Sequence, residues 1–218
     1  MKQFNHQTNT FDDLIVDETG NLQTHGKDWV RLTSQDDINA VSQAITTGGE
    51  VWLDEAGELK TSPPRPSPAH KWDSQGKAWL LDTAAAAELK AQQQEEMWTR
   101  IKAKRTDNLR HGVYVKSVDK WFHTDDNSRT QYLALAVMPK LPEKLAWKTM
   151  GNSFVNMTKT LLEELMTQML VDEQADFANA ERHKAAMEKA DKPLEYDYGD
   201  GWTANYEQPA AELEETEK

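Results

Sequence analysis

Hydrophobic residues arrive in short clusters separated by turn formers, and the spacing within each cluster predicts a small element. Leu14-Ile15-Val16 and Leu22, on either side of Gly20-Asn21, predict a strand, a turn and a return. From Ser34 to Thr46, Ile38, Val41 and Ile45 fall on one helical face, and Gly48-Gly49 stops the helix. Val51-Trp52-Leu53 alternates into Glu58-Leu59-Lys60 around Ala56-Gly57, a hairpin pattern. Trp72 and Trp79 flank a Ser-Gln-Gly turn in a second one. Thr83 to about Asn108 contains no Gly or Pro and is rich in Ala, Gln, Glu and Lys, so it predicts a helix. Its apolar points, Leu89, Trp98 and Ile101, are sparse. Such a narrow face predicts a helix that projects from the body for roughly 38 Å.

The remaining block is more regular. His111 to Phe122 alternates as a hairpin, with either Val113, Val115 and Trp121 inward or their opposite-parity neighbours. Thr124 or Asp125 caps a helix through Tyr132, Leu133, Leu135, Ala136 and Met138, which Pro139 ends. Leu145 to Thr158 reads as a hairpin turning at Gly151-Asn152, with Trp147 and Phe154 as cross-strand partners. Thr158 then caps a long helix in which Leu161, Leu162, Leu165, Met166, Met169, Leu170 and Phe177 repeat at three and four, fading near Ala190. The fold class is α+β. It comprises an N-terminal β-hairpin module (1–61), a Pro-rich spacer with a Trp hairpin (62–82), a long linker helix (83–110), a helix-hairpin-helix-hairpin-helix domain (111–193) and an aromatic then acidic tail (194–218).

Composition narrows this picture. Of 218 residues, 38 % are hydrophobic and the formal charge is −12. Both values predict solvated segments beside modest cores. Fourteen acidic and five basic residues fall from Asp172 onward, so most of the excess charge belongs to the C-terminus, whose last acidic run is expected to stay mobile. An acidic chain is a poor general ligand for nucleic acid. No run approaches the roughly 18 to 20 apolar residues of a membrane-spanning helix. With no cysteine and no secretory pattern at its start, the chain is expected to remain in the cytoplasm or leave it only by lysis. Four prolines between Pro63 and Pro68 predict an extended, semi-rigid spacer, with a ligand for an SH3-type module as the alternative.

Candidate chemistry is thin. Gly-x-Ser-x-Gly, phosphate-loop and dinucleotide fingerprints are missing. The best polar cluster is His123, Asp125, Asp126 and Ser128, for which helix capping is the leading reading. A metal site that recruits His111, or general acid/base work, is the alternative. Ser128 and Arg129 are expected to bind backbone or the aromatic tail, and His183 to be a surface residue favoured by its helix C-terminus. Arg100, Lys102, Lys104, Arg105 and Arg110 read as a solvated helix end, with nucleic acid or the acidic tail as other partners. Eight tryptophans are more informative, because each buried indole removes about 150–250 Å² from water. Core packing explains most of them. Trp52, Trp72, Trp79 and Trp98 are those expected to meet a protein partner.

Ordered motifs run from Trp98 to Trp202: Trp98-x-x-Ile101-Lys102-x-x-Arg105, Gly112-Val113, and Lys120-Trp121-Phe122-His123-x-Asp125-x-x-Ser128-Arg129. They continue with Trp147-Lys148-Thr149, Phe154-Val155-x-Met157-Thr158, His183-x-x-x-Met187, Tyr196-Asp197-Tyr198 and Gly201-Trp202. This run resembles an uncharacterised C-terminal domain of tailed-phage and prophage proteins, many of them tail or tail-fibre assembly proteins. Upstream, the Pro-rich stretch, Trp72, Gly76, Trp79, Asp82 and the Ala/Glu-rich helix are similar to the middle of tail-fibre assembly chaperones. The resemblance implies a tail protein that binds the tail fibre or baseplate, as assembly chaperone or bound virion subunit, in the host bacterial cytoplasm or the virion tail. On that reading Trp121, His123, Asp125, Ser128, Arg129 and Trp147 are structural signature residues. No cofactor, metal, nucleic acid or membrane is called for, and self-association is an open alternative. The competing readings are a carbohydrate-binding host-recognition module using exposed tryptophans, and a cell-surface polymer hydrolase using Asp125 and Asp126.

Overall fold

The computed structural model describes residues 1–206, so the terminal acidic run lies outside the described residues. The architecture is mixed α+β: among the described residues there are four α-helices and six small antiparallel sheets. Two compact units divide the chain, Met1–Ala91 and Gln92–Lys218.

In the first unit, β1 (Lys2–Asn5) is the centre of a three-stranded sheet between β2 (Thr10–Asp13) and β5 (Trp29–Leu32). A small hairpin, β3 (Ile15–Val16) and β4 (Leu22–Gln23), makes the turn that Gly20-Asn21 predicts. Helix α1 (Gln35–Thr46) opens on a complete capping box, in which Ser34 accepts from Asp37 N–H and the Asp37 carboxylate accepts from Ser34 N–H. Its inner face supplies Val41 and Ala44 to a core with Phe4, Leu32 and Val51. Gly49 is required where the chain leaves α1, since a Cβ there would collide with the Ser62 hydroxyl. Two hairpins follow, β6 (Val51–Leu53) with β7 (Leu59–Thr61), then β8 (His70–Asp73) with β9 (Ala78–Leu81).

The Pro-rich stretch between these hairpins, expected as a semi-rigid spacer, is bonded to the second of them. Trp79 Nε1 donates to Pro63 O at 2.8 Å, Arg65 Nε donates to His70 O at 2.8 Å, and Ala69 is buried. An extended segment has unpaired carbonyls to offer, and the neighbouring hairpin takes that of Pro63 while its own His70 carbonyl accepts from Arg65.

Helix α2 (Thr83–Asn108) carries the chain across the division into the second unit. It was expected to project, but in the second unit its C-terminal half is packed: Met97 and Ile101 are buried against Ala180 and Met187. Three buried residues in 26, Met97, Ile101 and Asn108, proved enough because aromatic residues from elsewhere complete the face. Next come the hairpin β10 (Val113–Val115) and β11 (Lys120–Phe122), helix α3 (Asp126–Ala136), the hairpin β12 (Ala146–Lys148) and β13 (Phe154–Asn156), and helix α4 (Lys159–Met187), capped by Thr158. The main core joins Val113, Val115, Phe122, Tyr132 and Met157 to Leu161, Leu162 and Leu165 of α4.

Two hairpins differ in part from expectation: Val113 and Val115 are inward, as one alternative had them, but Trp121 is not, and Trp147 does not face Phe154. Val113 lies opposite Phe122, which puts Phe122 inward and Trp121 on the outer face beside Tyr114, 5.6 Å between ring centroids. Trp147 lies opposite Val155, leaving Phe154 67 % exposed opposite Lys148. Both slips are by one residue, which in a strand exchanges the two faces. No helix among the described residues is long and apolar enough to cross a membrane.

Candidate interaction site

The hairpin turns of the first unit bring three expected partner-binding residues together. Register places Trp72 directly across from Trp79, and their rings meet edge to face at 5.3 Å. Trp52, from the neighbouring hairpin, stacks on Trp72 at 6.1 Å. All three indoles are half-buried. Glu50, which sequence reasoning missed, locks the ladder: Oε2 accepts from Trp72 Nε1 at 2.8 Å and Oε1 pairs with Lys77 Nζ at 2.8 Å. Those bonds, led by the one from Lys77, hold the Glu50 carboxyl below its ordinary pKa. Lys77 Nζ also lies over the Trp52 ring at 4.5 Å, and the Arg65 guanidinium over Trp79 at 5.8 Å. Because both visible indole N–H groups of Trp72 and Trp79 are satisfied internally, what they present outward is apolar ring. Leu81, two residues from Trp79 on the same strand face, extends that surface and is 53 % exposed.

Trp98 belongs to the second unit and not to the ladder. It packs against the cluster around Met97 and Met187, with Lys102 and Lys184 ammonium groups 5.5 and 5.1 Å from its ring.

The polar cluster at the start of α3 is consumed by folding. Asp125 is the N-cap: Oδ1 accepts from the N–H groups of Asn127 and Ser128 at 3.1 and 3.0 Å, and Oδ2 from the Ser128 hydroxyl at 2.8 Å. These bonds, the Ser128 amide first, depress its pKa. Asp126 pairs with Arg110 at 3.1 Å. His123 contributes its backbone carbonyl to Tyr132, whose phenol burial pushes up to about 12. His111 turns to Asp107, with Nδ1 2.7 Å from the backbone carbonyl, and does not approach as a second metal ligand. Arg129 binds backbone as expected, donating to Thr124 O at 2.8 Å and Leu109 O at 3.1 Å, and pairs with Glu173. Trp147 packs on Tyr132 at 5.3 Å. The basic helix end is paired too, Arg100 with Glu96 and Lys102 with Glu95, while Arg105 lies 4.0 Å from the Phe177 ring centroid. Among the described residues, no three His, Asp or Glu side chains converge as a metal site.

The aromatic tail residues form a strap that sequence reasoning only partly anticipated. His183 is not a surface residue: it is 0 % exposed, stacked on Trp202 at 5.7 Å, 2.9 Å from the Tyr196 hydroxyl and 2.9 Å from Asp200 O. Asp176, 1 % exposed, accepts from Thr203 N–H, the Thr203 hydroxyl and Asn108 Nδ2 at 2.8, 2.9 and 2.7 Å. Gly201 holds a φ of +77°, and a side chain there would strike Asn179. The aromatic run after Pro193 was the available signal; nothing in the spacing identified its polar partners.

Fold and site together define a two-unit α+β protein with a half-buried aromatic ladder in the first unit and an aromatic strap in the second. Residues 92–200 match the family described as a domain of unknown function (DUF4376), half of the chain, and the protein belongs to that family. No curated protein and no solved structure matches it.

Proposed function

We propose that the chain is a protein-binding component of a bacteriophage or prophage tail, engaging the tail fibre or baseplate as assembly chaperone or bound virion subunit. The observation that carries the docking half is the Trp52-Trp72-Trp79 ladder, half-buried with its Trp72 and Trp79 N–H groups already bonded and continued by exposed Leu81. Covering Trp72 and Trp79 therefore leaves neither indole N–H unpaired, which is a property of interface anchors. The tail context comes from the motif resemblance between Trp98 and Trp202, and compartment follows from it: the host cytoplasm during assembly.

The carbohydrate reading has less support, because Lys77 and Arg65 lie over the indole faces a sugar ring would need and Glu50 is engaged twice. The hydrolase reading has less again, since Asp125 is saturated by the helix it caps. Co-expression with the fibre or baseplate protein encoded beside it tests the proposal. The two should co-purify, and Trp79→Ala with Leu81→Asp should cut recovery at least tenfold. Failure to co-purify with either candidate, or glycan-dependent quenching of tryptophan fluorescence in its place, would overturn it.

A further inference from the structure

Beside the ladder's hairpins, the first unit holds a groove of about 630 Å³ between two strand edges. Helix α1 forms its floor with Ala40 and Val41, β5 forms one wall and β7 the other. Among the described residues neither strand has a neighbour on that side: β5 pairs with β1 alone, and β7 with β6 alone.

Hydrogen-bond phase shows which backbone groups face the opening. His6 N–H donates to Asp28 O at 3.2 Å, so the pairs that exchange bonds between β1 and β5 are Phe4 with Val30 and Lys2 with Leu32. Arg31 falls between them and directs its N–H and C=O away from β1. On the other wall, Asp54 N–H donates to Glu58 O and Ser62 N–H to Glu50 O, both at 2.9 Å. Leu59 and Thr61 therefore occupy the alternate positions and turn their backbone groups away from β6. The walls are four residues of β5 and three of β7, a length that an occupant strand of about four residues matches.

We propose that the groove receives an extended segment of another polypeptide, about four residues long, which adds to the free edge of β5 through Arg31 and is flanked by Leu59 and Thr61 of β7. This deepens the docking reading by giving it a binding mode, and rests on it only in taking the occupant to be a polypeptide. Alternation decides the occupant's chemistry. Side chains directed at α1 meet Ala40 and Val41 and must be small and apolar. Those directed outward lie beside Arg31, whose guanidinium meets the Met1 thioether at 2.9 Å and no carboxylate among the described residues. The nearby acids are engaged, Asp37 by the Thr33 and Ser34 amides and Glu58 by Lys60. The expected occupant thus alternates small apolar with acidic residues.

A displayed library of random twelve-residue peptides, panned against the full-length chain, tests this. Enriched peptides should show that alternation, and each, once synthesised, should slow hydrogen exchange at the Arg31 amide at least tenfold. Arg31→Glu and Ala40→Phe, the second of which fills the floor, should each weaken binding at least tenfold. N-methylation of alternate peptide amides should abolish it. An empty selection overturns the proposal, as do binders indifferent to both substitutions. Binders lost instead on Trp79→Ala refute the groove while leaving the docking reading standing; no selected peptide and no co-purifying fibre remove both.

Discussion

Asp176 and Asp172 stand one turn apart on α4 with opposite fates. Asp176 is buried among three donors, and truncating it removes the acceptor of the Thr203 amide and hydroxyl and one of the acceptors of the Asn108 side chain. Asp176→Ala should therefore lower unfolding free energy by about 3 kcal/mol, read from urea denaturation, with Asp176→Asn costing less. Asp172 accepts from Gln168 at 2.8 Å, but burial, and then the charge of Asp176, raise its pKa. A raised carboxyl pKa means the folded state favours the proton. Its penalty is absent below the unfolded value of about 4 and fully present above the folded one. Asp172→Asn should accordingly stabilise the protein at pH 7, with the gain shrinking toward pH 4 in matched urea titrations. Neither role was legible in the sequence. Periodicity marks apolar faces, and a buried Asp, or a buried His183, looks like any polar position until its partners arrive from residues 196–203.

Helices and turns were the most readable elements. Thr158 caps the helix it was expected to cap and Asp125 was one of two candidates, while Ser34, where a helix was expected to begin, also caps it, because short oxygen-bearing side chains before an apolar repeat satisfy orphan N–H groups. Asp125→Ala should cost about 1 kcal/mol at pH 7. Since its folded pKa is depressed, that stability exists above the unfolded pKa and disappears as pH falls through the folded one. The wild-type advantage in melting should thus close in acid. Hairpins were legible as pairs but not in register. Tyr114 and Trp121 give the outer face of β10–β11 as much apolar character as Val113 and Phe122 give the inner one, so alternation alone could not choose. The packing of α2 was missed for a related reason: a sparse stripe predicts projection unless the covering residues are known, and here Tyr196, Tyr198 and Trp202 follow nearly a hundred residues later.

At the scale of the molecule, each hydrophobic cluster among the described residues draws its members from one unit. Phe4, Leu32 and Val41 belong to the first, while the Leu165 and Met187 clusters belong to the second. The family match at 92–200 spans nearly all of the described second unit. The ordered motifs that carried the resemblance are there largely structural: Ile101, Phe122, Met157 and Met187 fill cores, Asp125 and Thr158 cap, and Arg129 ties three segments. A fragment from Gln92 to Tyr206 is expected to fold alone, with cooperative melting and dispersed amide resonances; a non-cooperative transition would show that the first unit contributes to its stability.

Three indoles with centroids 5.3 and 6.1 Å apart are also close enough for their excited states to mix. The first unit thereby carries an intrinsic optical signature, a circular-dichroism couplet in the far ultraviolet that depends on ring orientation. Any ligand that tilts Trp52 or Trp79 will register in that signal without a label attached.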